Sequence, residues 1–224
     1  MEGKVNKYLY LLLIPSAWIF FASFRSFYGH RTQKKLPSKG KSVLILGDSH
    51  TGPYNTWTAD FVKNAGFSAS AKIAEVGKTT SWMLSQMKNY LANNKTPDYI
   101  VVWGGANDAY NGTAQATTLA NMQAMIDTAK AKGSKIVFLS GYDPKKVSYN
   151  FNTAGLIGNE TSLGQGRERW IALLDTMPKK LKGYTLIVPP HPTFTRANST
   201  DGLHLTGSAY QEYGKWLADL YFGG

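Results

Sequence analysis

The stretch Ser42-Val43-Leu44-Ile45-Leu46-Gly47-Asp48-Ser49-His50 runs from apolar, β-favouring residues into a glycine, an acid, a hydroxyl and an imidazole. A short apolar run closed by a glycine turn reads as a strand buried on both faces of a covered sheet. A serine exposed at such a strand end, with a histidine next to it, has the residue types of an activated nucleophile and its base. Consecutive side chains project apart, however, so His50 is badly placed to take the proton of its own neighbour.

Working outward, the same kind of run recurs. Ala71–Val76, Tyr99–Trp103, Lys135–Ser140 and Thr185–Val188 are short and β-rich, and helical patterns separate them at about 54–65, 79–93, 114–132 and 164–177. A last helical pattern covers about 206–221. In the third of these, Leu119, Met122, Met125, Ile126 and Ala129 recur at helical spacing before the stop signal Lys130, Lys132 and Gly133. Strands alternating with helices predict an α/β fold whose five-stranded parallel sheet is covered by helices on both faces. In that architecture functional groups gather beyond the C-terminal strand ends. The segments there are Gly47-Asp48-Ser49-His50, Gly77-Lys78-Thr79, Gly104-Gly105-Ala106-Asn107-Asp108, Gly141-Tyr142-Asp143 and Pro190-His191-Pro192.

Gly77-Lys78-Thr79 imitates the end of a phosphate-binding loop, but the glycine required five positions earlier is Lys72, so no nucleotide cofactor is expected. Of the four histidines, His30 lies in a basic segment near the N-terminus, and His191 sits rigidly between two prolines, in a structural or pocket-lining position. His204 is different, because Asp201-Gly202-Leu203-His204 places an acid three residues ahead of it in a glycine-containing turn. The carboxylate there can reach Nδ1 and leave Nε2 for a serine.

Gly47-Asp48-Ser49, then Gly77, then Gly105-Ala106-Asn107-Asp108, then Asp201-Gly202-Leu203-His204 resembles the block series of the SGNH (GDSL-like) hydrolases, over residues 42–221. The resemblance implies a flavodoxin-like three-layer α/β/α sandwich. It implies Ser49 as nucleophile, His204 as general base and Asp201 as its orienting acid. The backbone N–H groups of Ser49 and Gly77 and the side-chain amide of Asn107 would form the oxyanion hole, with no cofactor and no metal. The expected activity is a serine esterase acting on small esters or O-acylated glycans. Asp48 is expected to brace the turn by accepting backbone N–H bonds, Asp108 to play a structural part, and His50 to line the pocket rim or bond the loop.

The chain of 224 residues carries a net charge of +11 and no cysteine, which excludes disulfide and thiolate chemistry. The charge is uneven: eight Lys or Arg against the single acid Glu2 lie in residues 1–41, and 17 basic against 13 acidic residues lie beyond. No stripe of interleaved aromatics and basic residues marks a nucleic-acid groove, so no nucleic-acid partner is expected. Tyr8 to Phe24 is free of charge and at 1.5 Å per residue spans roughly 26 Å, enough for a thin hydrocarbon core. Residues 1–24 are thus expected to be an uncleaved transmembrane or membrane-inserting helix, residues 25–41 a basic linker, and residues 42–224 the hydrolase domain. A membrane-associated protein follows, in a cell envelope or a virion, its side of the membrane left open by the basic residues on the wrong flank. The alternative reading is a structural or membrane-penetrating component of a larger assembly such as a phage particle, its hydrolase-like domain kept for envelope binding or entry.

Overall fold

The computed structural model describes residues 34–52, 56–147 and 160–223. Its strands are β1 (Leu36–Pro37), β2 (Ser42–Gly47), β3 (Ala69–Ala74), β4 (Tyr99–Trp103), β5 (Lys135–Leu139), β6 (Leu186–Val188) and β7 (Phe222–Gly223). The helices are α1 (Trp57–Ala65), α2 (Thr80–Asn93), α3 (Ala106–Tyr110), α4 (Gln115–Ala131), α5 (Pro144–Val147), α6 (Glu160–Lys180) and α7 (Gly207–Tyr221), with one 3-10 turn at Arg196–Asn198.

Five strands form one sheet in the order β3-β2-β4-β5-β6, and every pairing is parallel. Side chains alternate across each central strand, so each strand feeds two cores. Val43, Ile45, Val101, Trp103, Val137 and Leu139 face one cluster with Trp57 and Phe61 of α1 and Tyr213 and Leu217 of α7. Leu44, Leu46, Ile100, Val102, Ile136 and Phe138 face the other, with Met83 and Met87 of α2, Met122 and Met125 of α4, and Met177 of α6. Each such buried side chain contributes about 1.5–3 kcal/mol relative to exposure, which is why the central strands carry no polar interruption. Helices on both faces of a parallel sheet give the expected three layers.

Strand order reverses between β2 and β4, since β2 connects outward to β3 and the chain then returns to the other side. A crevice opens at the C-terminal ends of the strands at such a switch point. The segments after β2 and β4 therefore meet there.

Some boundaries differ from the sequence reading. β3 begins at Ala69 rather than Ala71, because it is an edge strand with exposed small residues whose limits are set by its pairing, Ser42↔Ala69 to Gly47↔Ala74, rather than by hydrophobicity. The helix expected at 164–177 runs from Glu160 to Lys180. β1 pairs with β7, so Leu36 and Pro37, at the end of the expected basic linker, enter a two-stranded parallel sheet with Phe222 and Gly223.

The expectation of an N-terminal membrane helix is corrected. Residues 8–24, on which it rested, lie outside the described residues, and among the described residues no helix is long and apolar enough to cross a membrane. The longest, α6, carries Arg167, Glu168, Arg169, Asp175, Lys179 and Lys180, charges that exclude it from a hydrocarbon core. The membrane-associated localisation is therefore withdrawn.

Candidate active site

Gly47 ends β2 at a close approach: a Cβ there would overlap Thr51 Oγ1 and meet the Trp103 carbonyl oxygen at 3.0 Å. The absence of a side chain lets the chain turn sharply at once. Thr51 N donates to Asp48 O at 3.0 Å and Gly52 N to Ser49 O at 3.3 Å, and Ser49 sits half-buried in this turn.

His204 arrives from the other end of the chain, in the loop before α7. Asp201 organises that loop by itself. Its Oδ1 accepts the Leu203 N–H at 2.8 Å and the His204 N–H at 2.7 Å, while Oδ2 lies 2.7 Å from His204 Nδ1. The loop is tied further by Ser199 Oγ, which donates to the His204 carbonyl at 2.7 Å, and by Tyr142 Oη, which donates to the Leu203 carbonyl. His204 Nε2 lies 2.9 Å from Ser49 Oγ. The sequence-predicted Ser49, His204 and Asp201 thus form a continuous hydrogen-bonded chain, with the His204 ring pinned through its other nitrogen.

Asn107 follows β4 in the first turn of α3. Its Nδ2 donates to Asp48 Oδ2 at 3.2 Å and to the Lys78 carbonyl at 3.1 Å. The amide therefore links the Ser49 turn to the Gly77-Lys78 turn after β3, where Gly77 takes the left-handed φ of +77° that its lack of Cβ permits. Asp108, next in sequence, points elsewhere and accepts Thr80 N at 2.9 Å and Thr80 Oγ1 at 2.6 Å at the start of α2.

The family model of the GDSL-like lipase/acylhydrolase family matches residues 40–212. The chain belongs to that family. It is an ester-hydrolysing enzyme of the SGNH hydrolase superfamily. No curated protein matches its sequence. Among solved structures, a Slackia heliotrinireducens protein assigned to the SGNH hydrolases is 16% identical with a TM-score of 0.62, the match covering 81% of this chain and 99% of that one. A catalytic mutant of an acetylxylan esterase from Geobacillus stearothermophilus is 12% identical with a TM-score of 0.56, covering 83% and 96%. A psychrotrophic esterase from a Pseudoalteromonas species is 15% identical with a TM-score of 0.54, covering 80% and 96%. At these identities the likeness is one of fold.

Electrostatics in this hydrolase divide its acids. Burial alone would raise the Asp201 carboxyl, but the His204 side chain and the His204 and Leu203 N–H groups hold it well below the usual carboxylate range. Asp48 is wholly buried and has fewer donors. Desolvation pushes its pKa to about 7, against the opposing pull of the His50 N–H and of His204.

His50 meets one of its two expectations, bonding the loop through its N–H to Asp48 Oδ1 at 3.0 Å, and departs from the other. It does not line the pocket rim: it is 1% exposed, with Nδ1 3.2 Å from Tyr210 Oη and its ring packed among Trp103, Tyr142, Trp170 and His204. Burial, and then the proximity of His204, lower its pKa to about 3, so it stays neutral. The aromatic side chains around it were not singled out by the sequence reading, because each sits in a separate segment and reads as ordinary core. His191 is structural, buried and stacked on Phe194 at 3.8 Å between ring centroids. Among the described residues no cluster of acids and histidines is arranged to hold a metal ion.

Proposed function

We propose that residues 42–224 form a serine hydrolase domain that cleaves esters of short acyl groups, O-acetylated carbohydrates among them, through Ser49, His204 and Asp201. The observation that carries the reading is the hydrogen-bonded chain from Ser49 Oγ through His204 to Asp201, at 2.9 and 2.7 Å. His204 Nε2 takes the Ser49 proton as Oγ attacks the ester carbonyl. Asp201 keeps Nδ1–H in place and favours the imidazolium that forms. The carbonyl oxygen becomes an oxyanion, held by the Ser49 and Gly77 N–H groups and by Asn107. His204 returns the proton to the leaving alcohol, and water, deprotonated by the same nitrogen, releases the acid and restores Ser49.

Two observations support a short acyl group. The sequence at 148–159 contains no long apolar run. One relative of the same fold is an acetylxylan esterase.

The test is hydrolysis of p-nitrophenyl acetate and acetate release from acetylated glycans, with a fluorophosphonate as active-site label. Ser49→Ala is expected to lose at least about 10⁴-fold in kcat and all labelling. Wild-type turnover in that variant, or label on another serine, refutes the mechanism. A preference for long acyl chains refutes the substrate class alone.

A further inference from the structure

We propose that Asp48 is a positioning residue, whose buried carboxylate orients the Asn107 amide that receives the oxyanion. The inference rests on the reading of Ser49 as nucleophile and Asn107 as oxyanion donor, and adds a residue that acts through Asn107.

Asp48 has no exposed surface, and a carboxylate removed from water is tolerated only where donors replace it. Among the described residues two donors from elsewhere in the chain stand at Asp48, besides its own backbone N–H. Its Oδ1 accepts the His50 N–H at 3.0 Å, within the same turn, and its Oδ2 accepts from Asn107 Nδ2 at 3.2 Å, 59 positions away in sequence. The first bond shapes the turn that presents Ser49, and a backbone carbonyl or a serine hydroxyl would serve as well. The second has no role in that turn.

The Asn107 amide nitrogen carries two hydrogens, and its second partner is the Lys78 carbonyl at 3.1 Å. Three segments distant in sequence therefore meet at one amide: the Asp48-Ser49 turn, the Gly77-Lys78 turn and the start of α3. They are the segments that bear the Ser49, Gly77 and Asn107 donors. Both bonds lie within the roughly 2.7–3.2 Å range of N–H···O hydrogen bonds. They fix the amide plane at rest, and the developing oxyanion competes with the neutral Lys78 carbonyl for one hydrogen while Asp48 keeps the other.

The charges facing Asp48 fit this task. His204, approaching from the loop before α7, favours its ionised form, Asp108 beside Asn107 in α3 opposes it more weakly, and His50 beside it is neutral. Lys78 Nζ is engaged with Glu75 at 2.8 Å and contributes only its carbonyl here. With a pKa near 7, Asp48 is drawn toward ionisation by a cationic His204, the form His204 takes once it holds the Ser49 proton. The acceptor that orients Asn107 is thereby strengthened at the moment the oxyanion forms.

The decisive variant is Asp48→Asn. Its Oδ1 still accepts from His50 N, but its NH2 then faces the Asn107 NH2, donor against donor. Expected is a loss of about 10²-fold in kcat, as for one missing oxyanion donor, with KM changed less than about threefold. Asn107→Ala is expected to lose a similar factor, and the double variant no more than Asn107→Ala alone, since residues acting as a unit are non-additive. Losses that multiply in the double variant, or a wild-type kcat in Asp48→Asn, overturn the proposal. An active Ser49→Ala enzyme overturns instead the reading beneath it, so the two failures are distinct. Should Asp48→Asn not fold, the side-chain NH2 resonances of Asn107 are followed by NMR from pH 5 to 9 in the His204→Ala protein, where His204 no longer titrates. A chemical-shift titration is expected, and flat resonances overturn the assignment.

Discussion

His50 and Trp103 stack face to face, their ring planes 6° apart and their centroids separated by 5.2 Å. Tyr142 meets the same imidazole edge-on, and the His204 ring lies 5.4 Å away at 40°. The histidine beside the candidate nucleophile is thus an aromatic brick under the histidine that serves it.

This relationship separates stability from turnover. His50→Ala opens a cavity in a packed aromatic cluster and is expected to cost about 2–5 kcal/mol, like other large-to-small core changes. Per folded molecule, its kcat is expected to fall at least about 10² less than that of His204→Ala, which removes the proposed proton acceptor. Chemical denaturation gives the first quantity and titrated active sites give the second. Equal losses of turnover would show that His50 does chemistry.

The buried titratable groups set a pH dependence of stability with a definite sign. His50 stays neutral in the fold down to about pH 3, and His191, lowered by burial, down to about pH 4, whereas in the unfolded chain both protonate near the ordinary 6.5. The unfolded state therefore binds more protons in those windows, and stability falls as pH drops through them. Asp48 acts in the opposite sense. Its folded carboxyl holds a proton from its ordinary 3.8 up to about 7, so its contribution is present at low pH and lost as pH rises through about 7. Two histidines outweigh one acid, and urea unfolding should show a net loss from pH 6.5 toward pH 4.5. Asp48→Asn should steepen that loss, and His50→Phe should flatten it. The reverse ordering contradicts the assignment.

Asp108 stands beside Asn107 yet serves a different purpose. Buried at 1% exposure, it accepts both Thr80 N and Thr80 Oγ1, capping α2 from outside its own sequence. Asp108→Ala leaves those donors without acceptors and is expected to cost about 2–4 kcal/mol. The accompanying fall in kcat should stay below that of Asn107→Ala. Thermal denaturation and steady-state kinetics on the same preparations check both halves.

Gly214 lies inside α7, where alanine is normally the better residue by about 1 kcal/mol. Here a Cβ would overlap the Trp57 carbonyl oxygen at the start of α1, because the two helices pack backbone to backbone. Gly214→Ala is therefore expected to destabilise by about 1–3 kcal/mol, as overpacking does. A stabilised variant would mean that α1 and α7 do not approach this closely.

The sequence by itself determined the layers of the fold and named the three residues of the candidate site. Hydrophobic runs such as Val43–Leu46 and Tyr99–Trp103 are legible because burial on both sheet faces leaves no polar position in them. Asp201 and His204 are legible because an acid and a histidine three residues apart form a local turn, which short-range geometry closes without help from the rest of the chain. The edge strand β3 was misplaced by two residues because exposed small side chains carry no periodic signal. Only the tertiary structure decided that His204 Nε2 reaches Ser49 and that His50 is walled in by Trp103, Tyr142 and Trp170. It alone joined Asn107 to both Asp48 and Lys78. Each of these contacts joins segments far apart in sequence that meet only in the folded sheet and its helices. Nothing local to either partner encodes such contacts, because their energy comes from burial and pairing that exist only once the strands are in register.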